Sequence, residues 1–500
     1  MENVQKIEKY NLYRLPIIRG INAFVYSKAF VVFIAILTVL SNAYALDLYY
    51  FCAITVFAIY IALFGKDFSP YLHMLCFCYI ASSVENNPGV NANSILFPQN
   101  SGYLLFYLAG AIILSMLARF ILDPSIGFKN MFKQKRRLSV SIILLGVTYF
   151  ISGILSKGYF GFALKNFAIA GLQFAVIFVP YFILSFAVKW DSISKDYLVF
   201  TGVIFGFAVC VELIFVYVLH GIIANPLYKW KTLVYTGWGI SNNIGALITM
   251  TIPFAFYYVC KSRFSAIWLL VIDFMCLMVM FSLSRASILI GLFFMLVGTV
   301  LAIVKAKPRT KLLTTLNLLL LSLLVWIFGW AYFKTLYVSL GGMLASDPRV
   351  ELYKLGFKTF LDYPIFGNGW YSLSIQSPND FNFEWSNELS FTSFFPARWH
   401  NTVIQLLVTG GVMALIAYLV HRYKTLSLCY KKRSLETLVT FFAISALLIE
   451  SLLDCHFFNL GPVLFYSVAL AFVEFRIPHF TESAKFKEYV YDINENCLLK

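Results

Sequence analysis

His400 is the residue of this 500-residue chain whose type and position best suit proton transfer. It lies in the segment ARWHNTVIQLL, where a hydrophilic stretch gives way to an apolar run. A neutral imidazole at such a boundary can accept a hydroxyl proton near neutral pH. Arg398 is a candidate to hold an anion beside it, and Asn401 is a further polar candidate. A lone histidine is more often structural, so that alternative stays open.

Two further arginines are candidate anion ligands. Arg349 follows Pro348 in the first turn of a predicted helix, where backbone N–H groups and a guanidinium together suit a phosphate. The alternative, a solvated charge or a salt bridge to Glu351 or Asp347, is favoured on local sequence alone. Arg285, in the motif SLSRASILIG, lies in a short turn between two apolar runs. Two roles are equally favoured for Arg285: snorkelling to lipid headgroups and binding of a phosphorylated lipid.

Acidic and imidazole groups in or near apolar runs are the remaining candidates. Asp454 and His456 lie near the hairpin between the last two runs. Glu212, Asp273 and Glu450 lie within runs, where a charge is costly, and their roles stay open. The chain contains no Walker-type phosphate loop, no HExxH zinc motif and no clear metal-binding DxD. We therefore expect no metal, no cofactor and no sugar-nucleotide donor.

Membrane-spanning helices are the elements that must position these residues. The chain is 60% hydrophobic and only 13% charged, whereas soluble proteins carry about 25% charged residues. This composition excludes a soluble multi-domain enzyme, a nucleic-acid binder and a disordered chain. The net charge of +15 then reports membrane topology and contact with anionic lipid, because basic residues collect on cytoplasmic flanks.

Fourteen apolar runs of suitable length divide the chain. They lie near 26–45, 48–65, 70–84, 103–122, 138–155, 166–188, 197–222, 242–260, 265–283, 286–304, 312–332, 401–420, 435–453 and 456–475. A helix of about 20 apolar residues spans a hydrocarbon core. We therefore predict an all-α polytopic membrane protein with about 12–14 transmembrane helices.

The distribution of basic residues predicts the orientation. Flanks on the side of the N-terminus hold 29 of the 39 Lys and Arg residues, which makes that side cytoplasmic. The predicted division is helices 1–11 within 1–332, an extracytoplasmic loop subdomain at 333–399, helices 12–14 within 400–475, and a cytoplasmic tail at 476–500. Both termini are then cytoplasmic.

The long outer loop is predicted to contain an amphipathic helix. Ser346 or Asp347 can cap it, and Pro364 with the turn Gly367-Asn368-Gly369 ends it. Its apolar positions recur at helical spacing, opposite a charged face. The apolar positions are Val350, Tyr353, Phe357 and Phe360. Such a helix is expected to lie on the membrane surface or to cap the bundle.

Three segments carry a resemblance to a known family. LSRAS precedes a span, PRVELYKLGFKTFLDYPIFGNGW lies in the long loop, and HNTVIQLLVTGGVMALIAYL follows it. In this order, between about 242 and 419, they resemble the O-antigen ligase and polymerase superfamily of bacterial polysaccharide assembly.

The resemblance implies a fold of the GT-C type and a lipid-linked donor, a glycan on undecaprenyl diphosphate at the outer leaflet. It also implies that Arg285 and Arg349 hold the diphosphate and that His400 activates the acceptor hydroxyl. Transfer would invert the anomeric centre without a metal. The implied acceptor is a lipid-linked repeat unit or lipid A core. Membrane lipids, a flippase and a chain-length regulator are the other implied partners.

The resemblance leaves polymerase and ligase open, with polymerase favoured because polymerases are the more numerous. It places the chain in a bacterial inner membrane. A lipid-linked oligosaccharide flippase is the rival from another class, but transporters typically show internal repeats and a polar cavity at mid-membrane. In this sequence the polar candidates gather at one boundary, which disfavours transport. The sequence gives no information on the sugars, the linkage or the oligomeric state.

Overall fold

The computed structural model describes residues 15–81, 102–123, 126–133, 135–341, 348–373, 396 and 398–478. The described chain is helical apart from its turns and one short hairpin of β1 (Tyr235–Thr236) and β2 (Gly239–Ile240). Its helices are α1 (Pro16–Val25), α2 (Lys28–Ala43), α3 (Asp47–Phe64), α4 (Tyr71–Ile80), α5 (Gly102–Leu122), α6 (Phe128–Met131), α7 (Ser139–Phe150), α8 (Tyr159–Ala187), α9 (Tyr197–Leu219), α10 (Leu227–Leu233), α11 (Ser241–Lys261), α12 (Ser265–Phe281), α13 (Arg285–Lys305), α14 (Pro308–Gly341), α15 (Pro348–Asp362), α16 (Thr402–Lys431), α17 (Leu435–Leu453) and α18 (Leu460–Phe475). Three single 3₁₀ turns occur at Trp190–Ser192, Ile222–Ala224 and His456–Phe458.

Each predicted apolar run coincides with part of a helix, which confirms the all-α polytopic class. Among the described residues, seven helices are long and apolar enough to cross a membrane: α3, α8, α9, α11, α13, α16 and α17. The pair α1 and α2, bent by 73°, makes eight if it is one span. Five shorter apolar helical segments have 10–17 residues, so the number of 12–14 crossings stays a prediction.

Two predicted runs are only partly helical, for identifiable reasons. The run at 138–155 stops being helical after Phe150 because the chain turns at Gly153, whose φ is 73°. The run at 456–475 begins with the 3₁₀ turn His456–Phe458, and its α-helix starts at Leu460. The helix predicted at 312–332 extends instead over Pro308–Gly341, so the boundary drawn at 333 falls inside a helix.

Helix α11 lies at the centre of the bundle and packs against α9, α12, α13 and α17. Glycines allow the backbones to approach closely. A Cβ on Gly206 of α9 would lie 2.0 Å from the Thr251 hydroxyl of α11, and a Cβ on Gly245 would lie 2.5 Å from the Ser287 hydroxyl of α13. Small residues at helix contacts are typical of membrane bundles.

The helix that follows the long loop, α16, is broken at Gly411, where φ is 65° and ψ is −164°. Inside a membrane the backbone groups freed by such a break need partners from the protein. The turn after α15 supplies them through four hydrogen bonds: Asn368 N–H to Val408 C=O (2.7 Å), Gly369 N–H to Thr409 C=O (3.0 Å), Val412 N–H to Pro364 C=O (2.9 Å) and Met413 N–H to Ile365 C=O (3.4 Å). The PIFGNG and TGG motifs therefore form one interlocked unit.

Glycine is required where these two motifs touch. A Cβ on Gly411 would lie 2.2 Å from the Ile365 carbonyl oxygen, and one on Gly367 would lie 2.4 Å from the Thr409 carbonyl. Both glycines have positive φ, which side chains rarely adopt. The spacing of these glycines in the sequence thus follows from a backbone-to-backbone contact.

Helix α15 packs on α16. Leu352 and Gly356 are buried, and Gly356 lies against Trp399. Val350 and Phe357 are 51% and 56% exposed. Close approach at Gly356 sets the rotation of the helix and leaves these two apolar side chains on its outer face, so the expectation that the stripe lies on the membrane surface stays a prediction. The proposed caps Ser346 and Asp347 lie outside the described residues.

Candidate active site

His400 is held in an unusual backbone conformation at the start of α16. Its φ is 50°, a value uncommon outside glycine. The next residue, Asn401, caps α16: its side-chain oxygen accepts from Val403 N–H at 2.8 Å and Ile404 N–H at 3.1 Å. The Asn401 amide also donates to the Leu452 carbonyl at 2.7 Å, which ties α16 to the end of α17.

Buried contacts on both sides fix this backbone. Trp399 is fully buried, and its indole N–H donates to the Ser372 hydroxyl at 3.0 Å. Its backbone N–H donates to the Gln405 side-chain oxygen at 3.0 Å. The Tyr353 hydroxyl of α15 donates to the His400 carbonyl at 3.0 Å. The loop and two helices therefore orient the imidazole.

The His400 imidazole is paired with the Asp454 carboxylate. The distance from Nδ1 to Oδ1 is 3.1 Å, and the side chains are 21% and 15% exposed. Asp454 Oδ1 also accepts from the Cys455 N–H at 2.7 Å, and Oδ2 accepts from the Asn242 amide at 3.1 Å. A partly accessible histidine oriented by a partly buried carboxylate is an arrangement suited to general-base catalysis.

Charges around Asp454 keep it ionised. Burial is the largest influence and opposes ionisation, but the hydrogen bond from His400 and the electrostatic influence of His456, His400 and Arg349 outweigh it. Together they hold the pKa of Asp454 well below its usual range. With the carboxylate ionised, the proton of a neutral His400 lies on Nδ1. Nε2 is then the nitrogen that can accept a proton.

Two of the predicted arginines bind the same turn, 452–459. Arg349 donates to the Leu453 carbonyl at 3.0 Å, at the C-terminal end of α17, and Arg398 donates to the Phe458 carbonyl at 3.1 Å. The predicted salt bridge of Arg349 to Glu351 is absent, because Glu351 pairs with Lys354 at 2.8 Å on the exposed side of α15. Asp347 lies outside the described residues.

His456 lies within this turn and is buried, with its Nδ1 3.1 Å from the Asn459 amide. Burial is the main influence and lowers the pKa of His456; Asp454 opposes this, and Arg398 adds to it. The ring therefore stays neutral among buried partners. The structure places it beside Asp454 but gives it a packed, enclosed position.

Arg285 lies at the same end of the bundle without touching the cluster. It is the first residue of α13, after Ser284, whose side chain caps the helix. In the same turn, the Ser287 hydroxyl donates to the Ser284 hydroxyl at 2.8 Å, and Glu450 of α17 lies near Ser287. Glu450 lies one helical turn before Asp454, so Arg285 lies at the same end of the bundle as the His400–Asp454 pair.

The other two intramembrane acids are elsewhere. Glu212 accepts from the Trp238 indole N–H at 2.9 Å, and Asp273 accepts from the Asn317 amide at 3.0 Å. These contacts give each carboxylate one hydrogen bond within the bundle, while Glu212 Oε1 is buried without a hydrogen-bond partner among the described residues. Neither acid is joined to the His400 cluster.

Sequence reasoning missed two residues that the structure brings to this region. Asn242 lies 212 positions from Asp454 along the chain. The only sign of a role for it in the sequence was the pair Asn242-Asn243 at the start of a predicted span. Arg422 follows the apolar run 401–420, and in the sequence it reads as a flanking charge. Its guanidinium is buried against three aromatic rings, those of Tyr418, Phe457 and Tyr466, at 4.2–4.9 Å.

The fold and the site define a polytopic helical membrane protein with a polar cluster at one end of its bundle, built around a His–Asp pair. Residues 266–419 match the model of the O-antigen ligase family. This segment therefore matches the O-antigen ligase family, and the resemblance of the motifs that it contains is confirmed. The matched region contains His400 and the interlocked motifs, while Asp454 lies beyond it. A search of curated proteins gives no match.

Proposed function

We propose that this protein transfers a glycan from undecaprenyl diphosphate at the outer leaflet to an acceptor sugar, and that its product is a polymer of O-antigen or capsular repeat units. The observation that carries the proposal is the His400–Asp454 pair, because glycosyl transfer needs a base at the acceptor hydroxyl. The pair lies beside two arginines, Arg349 and Arg398, and the family match supports the same class of reaction.

The proposed step is a single displacement at the anomeric carbon. The acceptor hydroxyl oxygen forms a bond to this carbon while the bond to the diphosphate oxygen breaks, and the configuration inverts. His400 Nε2 takes the hydroxyl proton, and Asp454 stabilises the resulting imidazolium. Undecaprenyl diphosphate leaves with its negative charge facing Arg349 and Arg285. Since the diphosphate is already a competent leaving group, the step requires no metal or cofactor, as expected for the GT-C type.

Ligation is the second candidate, because the matching family model is described as O-antigen ligase. The acceptor would then be lipid A core or protein instead of a lipid-linked repeat unit. Deleting the gene separates the two reactions. A polymerase deletion accumulates undecaprenyl diphosphate carrying a single repeat unit, whereas a ligase deletion accumulates it carrying long polymer. A strain whose lipid-linked intermediates are unchanged would contradict both reactions.

We also propose that a flippase and a chain-length regulator are partners of this protein.

The proposed orientation puts the site on the outer face of a bacterial inner membrane, with both termini in the cytoplasm. We expect Lys358→Cys, on the exposed side of α15, to react with an impermeant thiol reagent in intact spheroplasts. Lys424→Cys, near the other end of α16, is the matched control and should react only after membrane rupture. Labelling of the unsubstituted chain is subtracted from both. The reverse pattern would overturn the orientation and the outer-leaflet reaction with it.

The arginines are expected to hold the diphosphate. A charge-assisted contact contributes roughly 1.5–3 kcal/mol, so Arg349→Ala or Arg285→Ala should lower product formation at least about tenfold with the protein still inserted. Lysine should restore activity only in part, because it lacks the bidentate geometry of a guanidinium. Lys354→Ala, on the same helix as Arg349, removes an exposed cation and should leave activity unchanged. Wild-type product levels in both alanine variants would eliminate this role.

A further inference from the structure

A large groove opens at the end of the bundle opposite the His400–Asp454 pair. Its volume is about 850 Å³. Its walls come from the last turns of α11, α13 and α16 and from the first turns of α17. Helix α17 begins at the groove and ends beside Asp454, and its 19 residues give it a length of about 28 Å. This length matches the hydrocarbon thickness of about 30 Å, so groove and site lie at opposite membrane boundaries.

The groove combines an apolar wall with cations. Leu426, Leu435, Leu438 and Phe441 supply apolar surface, and Leu426 is 50% exposed. Three basic residues on three different segments also line it: Lys261, Lys305 and Arg433. All three are exposed, and none forms an ion pair with any residue in the part of the chain that the structure describes.

Helix ends alone do not account for this convergence. Lys261 and Lys305 lie in the last turns of their helices, where a cation is favourable. That effect operates at each helix separately and does not bring cations from separate segments to one groove. The nearby acid Glu436 does not line the groove, and its carboxylate accepts from the Tyr257 hydroxyl at 3.1 Å. The groove therefore combines an apolar wall with three cations that no carboxylate among the described residues pairs with, one of which, Arg433, stacks on the Tyr430 ring at 3.8 Å.

We propose that this groove binds an anionic phospholipid of the leaflet opposite the active site, with the phosphate among Lys261, Lys305 and Arg433 and an acyl chain along the apolar wall. Basic pockets between membrane helices suit phosphate headgroups, and each Lys or Arg near an anionic lipid surface strengthens binding about fivefold. The groove contacts α16 and α17, the two helices whose other ends carry His400 and Asp454. A bound lipid would link the ends of α16 and α17 at the membrane boundary where the groove lies. The proposal depends on the membrane location of the bundle and is independent of the proposed transferase.

The test measures binding of phosphatidylglycerol and of zwitterionic phosphatidylethanolamine to the purified full chain by native mass spectrometry in mild detergent. We expect phosphatidylglycerol to bind preferentially. The triple variant Lys261→Gln, Lys305→Gln, Arg433→Gln should weaken that binding by about 100-fold, and each single variant by about fivefold. The matched control is Arg263→Gln, Lys307→Gln, Lys431→Gln. It removes the same charge from exposed positions two residues from each lining residue, and it should change binding by less than about threefold.

The substituted residues are all exposed, so the variants are expected to elute as folded protein. Each single variant tests the same groove with a smaller expected change in lipid binding. Equal binding of the two lipids would overturn the proposal. Equal loss of binding in the triple variant and its control would also overturn it, because it would mean that net charge and not the groove attracts the lipid. Occupation of the groove by a copurifying protein instead of a lipid would overturn it as well.

Discussion

His400→Ala should nearly abolish glycan transfer while binding of the lipid-linked donor stays close to normal. A sugar hydroxyl is a poor nucleophile until its proton is being removed, and arginines cannot remove it. General-base catalysis contributes about 10²–10⁴-fold, so a loss in product formation of this size is expected. Donor binding and product formation are measured on the same purified variant, which separates the base from a residue that only binds.

Two further variants sharpen this prediction. His400→Asn keeps a residue that tolerates positive φ and can still bond to Asp454, but it cannot accept the proton, so it should be as inactive as the alanine variant. His220→Ala is the matched control, since it removes an exposed histidine from the end of another span, and it should retain full activity. Donor binding that falls together with turnover would make His400 a structural or donor-binding residue. Full turnover would move the base elsewhere, with His456 as the next candidate.

Asp454 acts through His400, as a positioning residue. Asp454→Asn should lower turnover less than His400→Ala does, because the imidazole remains but loses the carboxylate that orients it. In the double variant, Asp454→Asn should add little to the loss caused by His400→Ala, since groups that act as a unit are not additive. Fully additive losses would show that Asp454 has a separate role.

Gly411→Ala should prevent the bundle from forming correctly. At φ 65° and ψ −164° the backbone of Gly411 is in a region that only glycine readily occupies, and the new Cβ would lie 2.2 Å from the Ile365 carbonyl oxygen. Such strain costs on the order of 1–3 kcal/mol before the hydrogen bonds between the two motifs are lost. We expect the yield of monodisperse protein to fall at least about tenfold and thermal stability in detergent to decrease markedly.

Gly110→Ala is the matched control for this prediction. Gly110 lies in α5, and a Cβ added there would meet no atom of the described residues within 4 Å, so alanine should be neutral or slightly stabilising. If Gly411→Ala behaved like Gly110→Ala, α16 would not need its break, and the interlock between the two motifs would not hold the loop against the bundle.

Much of the fold was predictable because hydropathy is a local property. A stretch of about 20 apolar residues has to be helical in a membrane wherever its neighbours lie, since its backbone groups can be satisfied only within the segment. The apolar runs therefore gave the positions of the helices. The same local reasoning located His400 and Arg349 at the entry of helices, and turn chemistry predicted the end of α15 near Pro364. The local reasoning failed where a helix ends early, as α7 does before the turn at Gly153, because the residues that this turn contacts are distant in the sequence.

The pairing of side chains across the bundle was decided by the tertiary structure. The sequence by itself determined a helical membrane protein with polar residues gathered at one boundary, and it suggested His400 as a base. It left Asp454 one candidate among several, because the two residues are 54 positions apart and meet only when α16 and α17 pack side by side. Arg422 reads as a flanking charge, yet packing of α16 against α18 and the turn at Phe457 buries it. Local pattern fixes which segments enter the membrane, whereas contacts between segments depend on the rotation and breaks of each helix, and these are set only by close packing.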